Sequence, residues 1–252
     1  MLKNERQQEI TEILKKKKSV TVAFLARTLY VSEATVRRDL EELEKSGVLM
    51  RSHGGAFMPQ GGAVESPGMI REKQSVQEKR LIAELTQDFL SAEMTVFIDS
   101  SSSAGAAIPY INACAPISVI TNGLRNCLRL TEQGGAKVYM CPGAVSRYSD
   151  AALGAEAVKY AGGFCADLCI ISCGGISARG ATEASCEQAQ IKRQMLKNSK
   201  TRLLLCDSSK FGRECMSILS GFDSFDCLLC DKTPPDDIAR AVKSAGCEII
   251  TV

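Results

Sequence analysis

The first 57 residues place hydrophobic side chains at the spacing of short helices and end in an alternating stretch. Ile10 and Leu14 lie one helical turn apart, and so do Leu25 and Leu29. The pattern predicts three helices, from Asn4 to about Lys17, from Thr21 to Leu29, and from a cap at Ser32 to Gly47. Residues 48–56 alternate and then turn at glycines, which predicts a hairpin. An α+β N-terminal domain of three helices and a hairpin follows from this pattern.

The third predicted helix has one apolar stripe and an opposite basic face. The stripe consists of Val36, Leu40 and Leu43. At roughly 100° per residue, Ala34 and Arg38 lie farthest from this stripe, and Thr35 and Arg37 flank them. Arginines beside a small residue near a helix start suit the DNA major groove, where arginine binds guanine or phosphate. A solvated amphipathic helix without a nucleic-acid partner explains the helix equally well.

The hairpin and the distribution of charge favour DNA binding. Alternation places Arg51 and His53 on one side of the first hairpin strand, where a wing beside a recognition helix contacts the phosphate backbone. Residues 1–57 hold eleven Lys or Arg and eight Asp or Glu, whereas the remainder holds twenty and twenty-one. The formal net charge of the whole chain is +2. The positive excess is therefore confined to the N-terminal domain, as expected for a polyanion partner.

A family resemblance extends this interpretation. From Val31 to Ala56 the chain reads VSEATVRRDLEELEKSGVLMRSHGGA, which resembles the DeoR family signature closely in order and spacing. The resemblance implies a winged helix-turn-helix over residues 1–57 with double-stranded operator DNA as its partner. Residues 21–29 form the first helix of the motif, and residues 32–45 form the recognition helix. The residues that it assigns to DNA contact are Thr21, Ser32, Thr35, Arg37, Arg38, Arg51 and His53.

A linker and a second, larger domain follow. Residues 58–77 are rich in glycine, proline and polar residues without steady periodicity, and we interpret them as the linker. Over residues 78–252, apolar runs alternate with helix-length segments, which predicts a Rossmann-like α/β domain with a mostly parallel sheet and helices on both faces. The predicted strands are Met94–Ile98, Ile117–Thr121, Lys137–Cys141, Leu168–Ser172, Arg202–Cys206, Cys227–Cys230 and Glu248–Val252. The predicted helices include Glu78–Ser91, Gly123–Thr131, Ala184–Asn198 and Asp236–Ala245.

Small and hydroxyl-bearing residues follow most of these predicted strands. These segments are Asp99–Gly105, Thr121–Gly123, Pro142–Gly143, Cys173–Gly175 with Arg179–Thr182, and Cys206–Gly212. In parallel α/β sheets, ligands bind outside the carboxyl ends of the strands. We therefore expect the segments to converge on one crevice suited to a polyhydroxy phosphate. Each turn taken alone is more typical of ordinary helix capping.

The C-terminal half also resembles the DeoR sensor domain, whose fold is similar to ribose-5-phosphate isomerase. The motifs that carry this resemblance are D-x-G-T-T, T-N, G-G, G-x-T, E-x-A-x-x-K and D-x-S-K. The effector-binding residues that it implies are Asp99, Ser101, Ser102, Ser103, Thr121, Asn122, Gly174, Gly175, Thr182, Glu187, Lys192, Asp207 and Lys210. One departure is Ser101, which replaces the glycine of D-x-G-T-T. If this position requires a positive φ, its side chain restricts the approach of a phosphate. A second departure is Pro142 in place of the first glycine of a G-G pair.

Cysteine and histidine usage narrows the chemistry. Of twelve cysteines, six lie in or beside apolar runs. Cys227 and Cys230, three apart on a predicted strand, point to opposite faces, so we expect no metal site and no cofactor. His53 is the only histidine and lies in a basic, loop-like segment, which argues against Ser-His-acid and Cys-His catalysis. The polar start and the lack of a long apolar run predict a cytoplasmic protein without membrane contact.

Three functional hypotheses follow. The first is a DNA-binding regulator, not an enzyme: a repressor of a carbohydrate-metabolism operon whose operator affinity responds to a phosphorylated sugar, acting as a dimer or tetramer. The alternative is a sugar-phosphate isomerase with an appended DNA-binding domain, in which Asp99, Asp207 and Lys210 serve as acid, base and electrophile. The third is a DNA-binding architectural protein without a ligand.

Overall fold

The computed structural model describes residues 2–17, 19–45, 48–52, 54–57, 68–132, 134–146 and 149–252. The three predicted N-terminal helices and the hairpin are present. The N-terminal elements are α1 (Lys3–Lys17), β1 (Ser19–Thr21), α2 (Val22–Thr28), α3 (Glu33–Lys45), β2 (Met50–Ser52) and β3 (Gly55–Phe57). Strand β1 was not predicted, and it makes the wing a three-stranded antiparallel sheet in the order β1-β3-β2. Gly47, the predicted end of the third helix, lies outside the described residues.

One small core joins the helices and the wing. The predicted stripe of α3 is buried, with Val36 and Leu40 at most 1% exposed, and Ile10 and Leu14 of α1 are fully buried. An ion pair also ties α1 to α3: Arg6 donates to the two carboxylate oxygens of Asp39 at 2.5 and 3.1 Å. The Asp39 side chain is 3% exposed. The recognition helix is thus fixed by both apolar packing and a charged hydrogen bond.

All seven predicted C-terminal strands are present in one parallel sheet. Together with five further strands of the described residues, these are, in chain order, β4 (Thr95–Ile98), β5 (Ile117–Thr121), β6 (Ala136–Met140), β7 (Ala144–Ser146), β8 (Ala151–Leu153), β9 (Ala166–Ser172), β10 (Gly175–Ser177), β11 (Gly180–Glu183), β12 (Ser199–Leu205), β13 (Ser217–Ser220), β14 (Cys227–Cys230) and β15 (Glu248–Thr251). The large sheet has the order β15-β14-β12-β9-β4-β5-β6. The predicted Rossmann-like α/β class is confirmed.

Helices cover both faces of this sheet. They are α4 (Gly68–Lys73), α5 (Val76–Glu84), α6 (Ser102–Gly105), α7 (Ile108–Ala113), α8 (Leu124–Glu132), α9 (Ala155–Ala161), α10 (Cys186–Lys197) and α11 (Asp236–Ser244). In β9, Leu168 and Ile170 pack with residues of α5 to α8, whereas Cys169 and Ile171 pack with residues of α9 to α11. Burial on both faces explains why the strands appear as continuous apolar runs. Among the described residues, no helix is both long and apolar enough to cross a bilayer.

Two smaller antiparallel units lie beyond the predicted elements. Strands β7 and β8 form a hairpin, and β10, β11 and β13 form a second sheet in the order β10-β11-β13. Their strands are three or four residues long, too short to show a period in the sequence. Gly175 begins β10 where the backbone passes close to Arg213: a Cβ at this position would lie 2.3 Å from the Arg213 carbonyl oxygen.

The predicted linker contains ordered structure at its C-terminal end. Residues 58–67 lie outside the described residues, but residues 68–77 include α4 and the start of α5. Lys79 of α5 donates to the carbonyl oxygens of Arg71 and Gln74, at 2.5 and 2.7 Å. The polar sequence of this segment suggests a loop, but its backbone groups are hydrogen-bonded to a buried lysine. The domain bounds 1–57 and 78–252 stay a prediction, and α4 extends structure N-terminal to the second one.

Removal of the Arg6–Asp39 contact should loosen α1 from the recognition helix. We expect Asp39→Ala to lower the local free energy of unfolding of the N-terminal domain by about 1–3 kcal/mol, because Arg6 loses a charged hydrogen-bond acceptor. The measurement is hydrogen exchange of the backbone amides of residues 3–17 in the full chain.

A matched control joins the same two helices at the surface. Lys3 lies 2.7 Å from Glu42, and both side chains are at least 40% exposed. Lys3→Ala should change the same amides by only about 0–1 kcal/mol. Equal losses for the two variants would contradict the role given to the buried pair.

Candidate functional site

The recognition helix α3 begins with hydroxyl groups that cap it. The Ser32 hydroxyl accepts a hydrogen bond from the Thr35 amide at 3.1 Å and lies 2.9 Å from the Thr35 hydroxyl. Thr21 does the same for α2, since its Oγ1 accepts from the Phe24 amide at 3.1 Å. Three of the residues assigned to DNA contact therefore shape the ends of the helix-turn-helix.

The outward face of α3 carries both predicted arginines. Arg37 and Arg38 are exposed, and Ala34 beside them is exposed as well. The Arg37 guanidinium lies 2.7 Å from a Glu33 carboxylate oxygen one turn earlier. Arg38 has no ion pair with any described residue. This face presents one neutralised and one unneutralised guanidinium next to a small residue, a surface on which a groove edge or a phosphate fits.

The wing presents one further predicted residue. Arg51 of β2 is exposed, its amide donates to Glu44 at 2.8 Å, and its guanidinium lies 3.9 Å from the same carboxylate. The Gly54 carbonyl accepts from the Val22 amide at 2.8 Å, which fixes the wing turn against the start of α2. His53 lies outside the described residues.

A basic cavity opens at the carboxyl ends of β4, β9 and β12, three adjacent strands of the parallel sheet. The cationic side chains that line it are Arg71, Lys79, Lys192, Lys210 and Arg213, and the acidic ones are Glu183 and Asp207. Ser101, Ser102 and Ser103 form its hydroxyl-bearing wall, and Gly174 adds backbone. Cations outnumber carboxylates in this lining, so the cavity is suited to an anion.

Lys192 holds the floor of the cavity together. Its Nζ lies 2.9 Å from a carboxylate oxygen of Asp99, forms an ion pair with Glu183, and donates to the Ser172 carbonyl at 2.9 Å. The side chains of all three charged residues are at most 6% exposed. Burial disfavours the ammonium, but the two carboxylates outweigh it and raise the pKa of Lys192.

Lys210 and Asp207 form the opposite wall. The Lys210 ammonium lies 2.9 Å from the Ser172 hydroxyl, 3.3 Å from the Ser103 hydroxyl and 3.5 Å from the Asp207 carboxylate. Burial would raise the pKa of Asp207, but the charge of Lys210, the Ser209 hydrogen bond and the charge of Lys79 together outweigh it, and the pKa is lowered. Both groups are therefore charged at neutral pH, with the ammonium directed at the serine wall.

Lys79 is the buried cation nearest to the linker segment. It is 6% exposed, and its ammonium caps carbonyl groups at the end of α4. Burial, followed by the like charge of Lys210, lowers the pKa of Lys79 to about 8. A lysine with this pKa changes charge near physiological pH, and an anion in the cavity would favour its charged form.

Comparisons with known proteins match both halves of the chain. A DeoR-like helix-turn-helix domain matches residues 6–60, and a DeoR C terminal sensor domain matches residues 74–232. The chain belongs to the DeoR family. The helix-turn-helix and the sensor domain make this DeoR protein a DNA-binding transcription regulator.

Relatives are similar over almost their whole length. The transcriptional regulator YulB of Bacillus subtilis is 31% identical over 100% of this chain and 98% of its own. The transcriptional repressor GlcR of the same organism is 27% identical over 99% and 96%. The glycerol-3-phosphate regulon repressor of Escherichia coli is 26% identical over 96% of each chain.

Solved structures have lower sequence identity to this chain. Ribose 5-phosphate isomerase A from Neisseria gonorrhoeae aligns with a TM-score of 0.39 at 11% identity, covering 54% of this chain and 53% of its own. eIF2B beta from Chaetomium thermophilum aligns with 0.44 at 15% identity, covering 68% and 54%.

The DeoR sensor motifs fall into two groups in space. The predicted residues that line the cavity are Ser101, Ser102, Ser103, Gly174, Lys192, Asp207 and Lys210. Asp99 lies directly behind it, paired with Lys192. The others do not line it: Thr121 accepts from the Gly123 amide at 3.0 Å, Asn122 donates to Ala152 at 3.3 Å, and Glu187 is exposed at the start of α10.

Thr182 and Gly175 also lie outside the lining and connect it to the second sheet. Thr182 donates to the Gly175 carbonyl at 3.1 Å and accepts from the Cys215 amide at 2.9 Å. These bonds position the segment that bears Arg213.

The ends of β5 and β6 do not join the crevice as the sequence suggested. The adjacent strands whose ends surround the cavity are β4, β9 and β12.

Ser101 does not strain the turn in which it replaces glycine. Its φ is −73°, so a side chain is accommodated without cost. Its hydroxyl caps α6 by accepting from the Ala104 amide at 3.1 Å and donates to Asp99 at 2.5 Å. The condition under which the departure would restrict a phosphate is not met.

Several lining residues were missed from sequence. Arg71 and Lys79 lie in or just after the predicted linker, Glu183 ends the short strand β11, and Arg213 lies in the segment before β13. Only Lys79 had a sequence signal: it precedes Ile82 and Ala83 by three and four positions, which places it on the buried face of α5.

Loss of the Lys192 ammonium should destabilise the sensor domain. Lys192→Met leaves Asp99 and Glu183 buried without their common partner, and we expect a loss of about 3–5 kcal/mol in unfolding free energy. Denaturant unfolding followed by circular dichroism measures it. Adding Glu183→Gln should recover part of the loss. Lys200→Met, which removes a 2.8 Å pair with Asp167 whose lysine is 78% exposed, serves as the control, with about 0–1 kcal/mol expected. Similar effects of the two lysine variants would contradict the assignment.

Proposed function

We propose that this DeoR protein represses a carbohydrate-metabolism operon and releases its operator when a phosphorylated sugar or polyol binds the basic cavity. The observation that carries the proposal is the convergence of five cationic side chains and three serines at the ends of three adjacent strands. The name of one relative, a glycerol-3-phosphate regulon repressor, supports a small phosphomonoester as the ligand class.

The cavity offers separate partners to the two parts of such a ligand. Lys210, Lys79 and the serine hydroxyls are charged or hydrogen-bonding partners for a phosphoryl group. Asp207 and Glu183, which line the same cavity, are acceptors for sugar hydroxyls. This lining favours the binding of a phosphoryl group most, because the phosphoryl group gives each buried lysine an anionic partner.

The route to the DNA-binding domain begins at Lys79. Its ammonium holds the end of α4, and the chain N-terminal to α4 continues through residues 58–67 to the wing. A phosphoryl group competes with the carbonyls of Arg71 and Gln74 for this ammonium. Ligand binding therefore favours a different position of α4, and the differential affinity for the two positions sets the change in operator affinity.

A regulator of this type acts on DNA in the cytoplasm as an even-numbered oligomer. One chain carries one recognition helix, and a palindromic operator requires two. An isomerase reaction is disfavoured, because the Asp99 carboxylate is occupied by Lys192, Ser101 and the Ser172 amide. We expect no turnover of ribose 5-phosphate by the purified protein.

The arginines of α3 should differ in their effect on DNA binding. Arg38→Ala should weaken binding to the DNA upstream of the gene by about 1–3 kcal/mol, whereas Arg37→Ala should cost less because Glu33 already neutralises Arg37. Fluorescence anisotropy at fixed salt measures both. Arg240→Ala, which removes the same charge from an exposed position on α11, is the control. Unchanged binding by Arg38→Ala would refute this assignment.

Effector binding should take up a proton above pH 8. Lys79 has a pKa of about 8 in the free protein, and a bound phosphoryl dianion raises it. The second pKa of a phosphomonoester is about 6, so the ligand itself takes up no proton above pH 8. Affinity is therefore highest between about pH 6 and pH 8 and falls as the pH rises further.

Calorimetry at pH 8.5 with glycerol 3-phosphate and a panel of sugar phosphates tests the site. Binding enthalpies in two buffers of different ionisation enthalpy should differ for the unmodified protein and agree for Lys79→Met, whose affinity should fall by about tenfold. Lys232→Met, at an exposed lysine, should behave as the unmodified protein. If no phosphorylated ligand binds, or if binding leaves operator affinity unchanged, the proposal fails.

A further inference from the structure

Three cysteines lie side by side across the parallel sheet, beneath the basic cavity. Ser172, Leu205 and Leu229 are register partners in β9, β12 and β14, and Cys173, Cys206 and Cys230 are the next residues of each strand end. All three side chains belong to the apolar cluster on the face covered by α9 to α11. Among the described residues, no group of three or more His, Cys, Asp or Glu side chains is arranged to hold a metal ion.

Cys173 and Cys206 follow register partners in adjacent strands and differ in environment. The Cys206 thiol donates to the Asp207 carbonyl at 3.7 Å. Cys173 lines the cavity and is 6% exposed, whereas Cys206 is fully buried. The neighbouring Cys206 thiol, assisted by the charge of Lys210, lowers the pKa of Cys173 in spite of burial. Burial raises the pKa of Cys206. The more acidic thiol therefore faces the cavity, and its neighbour stays protonated behind it.

The positions of the two residues permit a covalent bond. Neighbouring parallel strands run about 4.8 Å apart, within the range of about 4.4–6.8 Å for the Cα atoms of a disulfide. Cys173 and Cys206 follow a register pair, so their side chains leave the sheet on the same face. Among the described residues, no other pair of cysteines combines access from the cavity with adjacent positions in the strand register. Cys230 is fully buried, and Cys215, whose sulfur lies beside Gly174, is not in a strand next to Cys173.

We propose that Cys173 and Cys206 form a reversible disulfide in response to hydroperoxides, which makes the effector cavity a redox-modification site. The Cys173 thiolate attacks the terminal peroxide oxygen, the O–O bond breaks, and the leaving oxygen takes a proton to become an alcohol or water. The product is a Cys173 sulfenic acid. The Cys206 sulfur then attacks the Cys173 sulfur, the S–O bond breaks, and the hydroxide leaves with the Cys206 proton as water. Two thiols lose two electrons and the peroxide gains them; a dithiol reverses the change by exchange.

The bond would alter the site that it adjoins. A disulfide removes the ionisable thiol of Cys173, a residue that lines the cavity together with Lys210. Conversely, a phosphorylated ligand in the cavity covers Cys173 and slows its oxidation. This protection rests on the proposed function, whereas disulfide formation does not.

The test uses the full chain with the two exposed cysteines changed, Cys165→Ser and Cys186→Ser, so that surface disulfides do not form. The reduced protein is treated with hydrogen peroxide, the remaining thiols are alkylated after denaturation, and disulfide-linked peptides are identified by mass spectrometry. We expect a mass lower by two hydrogens before alkylation, two fewer alkyl groups, and one linked pair of peptides containing Cys173 and Cys206. Oxidation at Cys173 should be at least about tenfold faster than at Cys230.

Two variants separate the roles of the thiols. In Cys206→Ser, a sulfenic-acid reagent such as dimedone should label Cys173, because no partner resolves it. Cys230→Ser, at the third cysteine of the row, should form the same disulfide as its parent. If Cys206→Ser does not fold, the peptide map of the parent protein decides alone. A link between Cys173 and Cys215, or no loss of thiols at Cys173, overturns the proposal. If the disulfide forms but glycerol 3-phosphate gives no protection, the inference stands and the ligand assignment is the part that fails.

Discussion

The sensor half of the protein depends on one buried ammonium. Lys192 of α10 joins Asp99 at the end of β4, Glu183 at the end of β11 and the backbone of β9. These contacts hold the small antiparallel sheet β10-β11-β13 against the carboxyl ends of β4 and β9 in the parallel sheet. Because two carboxylates share one lysine, the cluster needs further donors, and the Ser101 hydroxyl and the Ser101 and Ser172 amides supply them to Asp99. The cavity therefore has a floor that is fully hydrogen-bonded before any ligand arrives.

The floor leaves other cations to meet the ligand. Lys210 contacts only hydroxyls and one carboxylate at 3.5 Å, and Lys79 contacts carbonyl groups that an anion would replace. The positive charge of the lining is thus divided between Lys192, which has a structural role, and Lys210 and Lys79, whose contacts a ligand would change. Of these lysines, Lys79 is nearest in sequence to the DNA-binding domain, and in the proposed mechanism a ligand that draws its ammonium away releases the end of α4.

The parts of this structure that could be predicted from sequence are those with a period or a long motif. Buried strands such as β9 show as apolar runs, and the stripe of α3 fixes its inward face. The cavity was only half predictable, because Glu183 belongs to the four-residue strand β11 and Arg71 to a polar segment without periodicity. Lys79 shows how the information is divided. Its spacing to Ile82 and Ala83 indicates burial, which lowers its pKa most, but the further lowering comes from the charge of Lys210, which only the folded chain brings near.

Strand order in the wing has a consequence for how the two halves communicate. Strand β3 is the middle strand, hydrogen-bonded to β1 on one side and β2 on the other, and the chain leaves for the sensor domain from its end at Phe57. A force on the chain at Phe57 would act as shear on the hydrogen bonds of β3 to both β1 and β2. One ladder leads straight into α2, and the other leads back to α3. Strand β3 is therefore connected to α2 through β1 and to α3 through β2. In the proposed mechanism, a displacement of β3 moves both helices of the helix-turn-helix together.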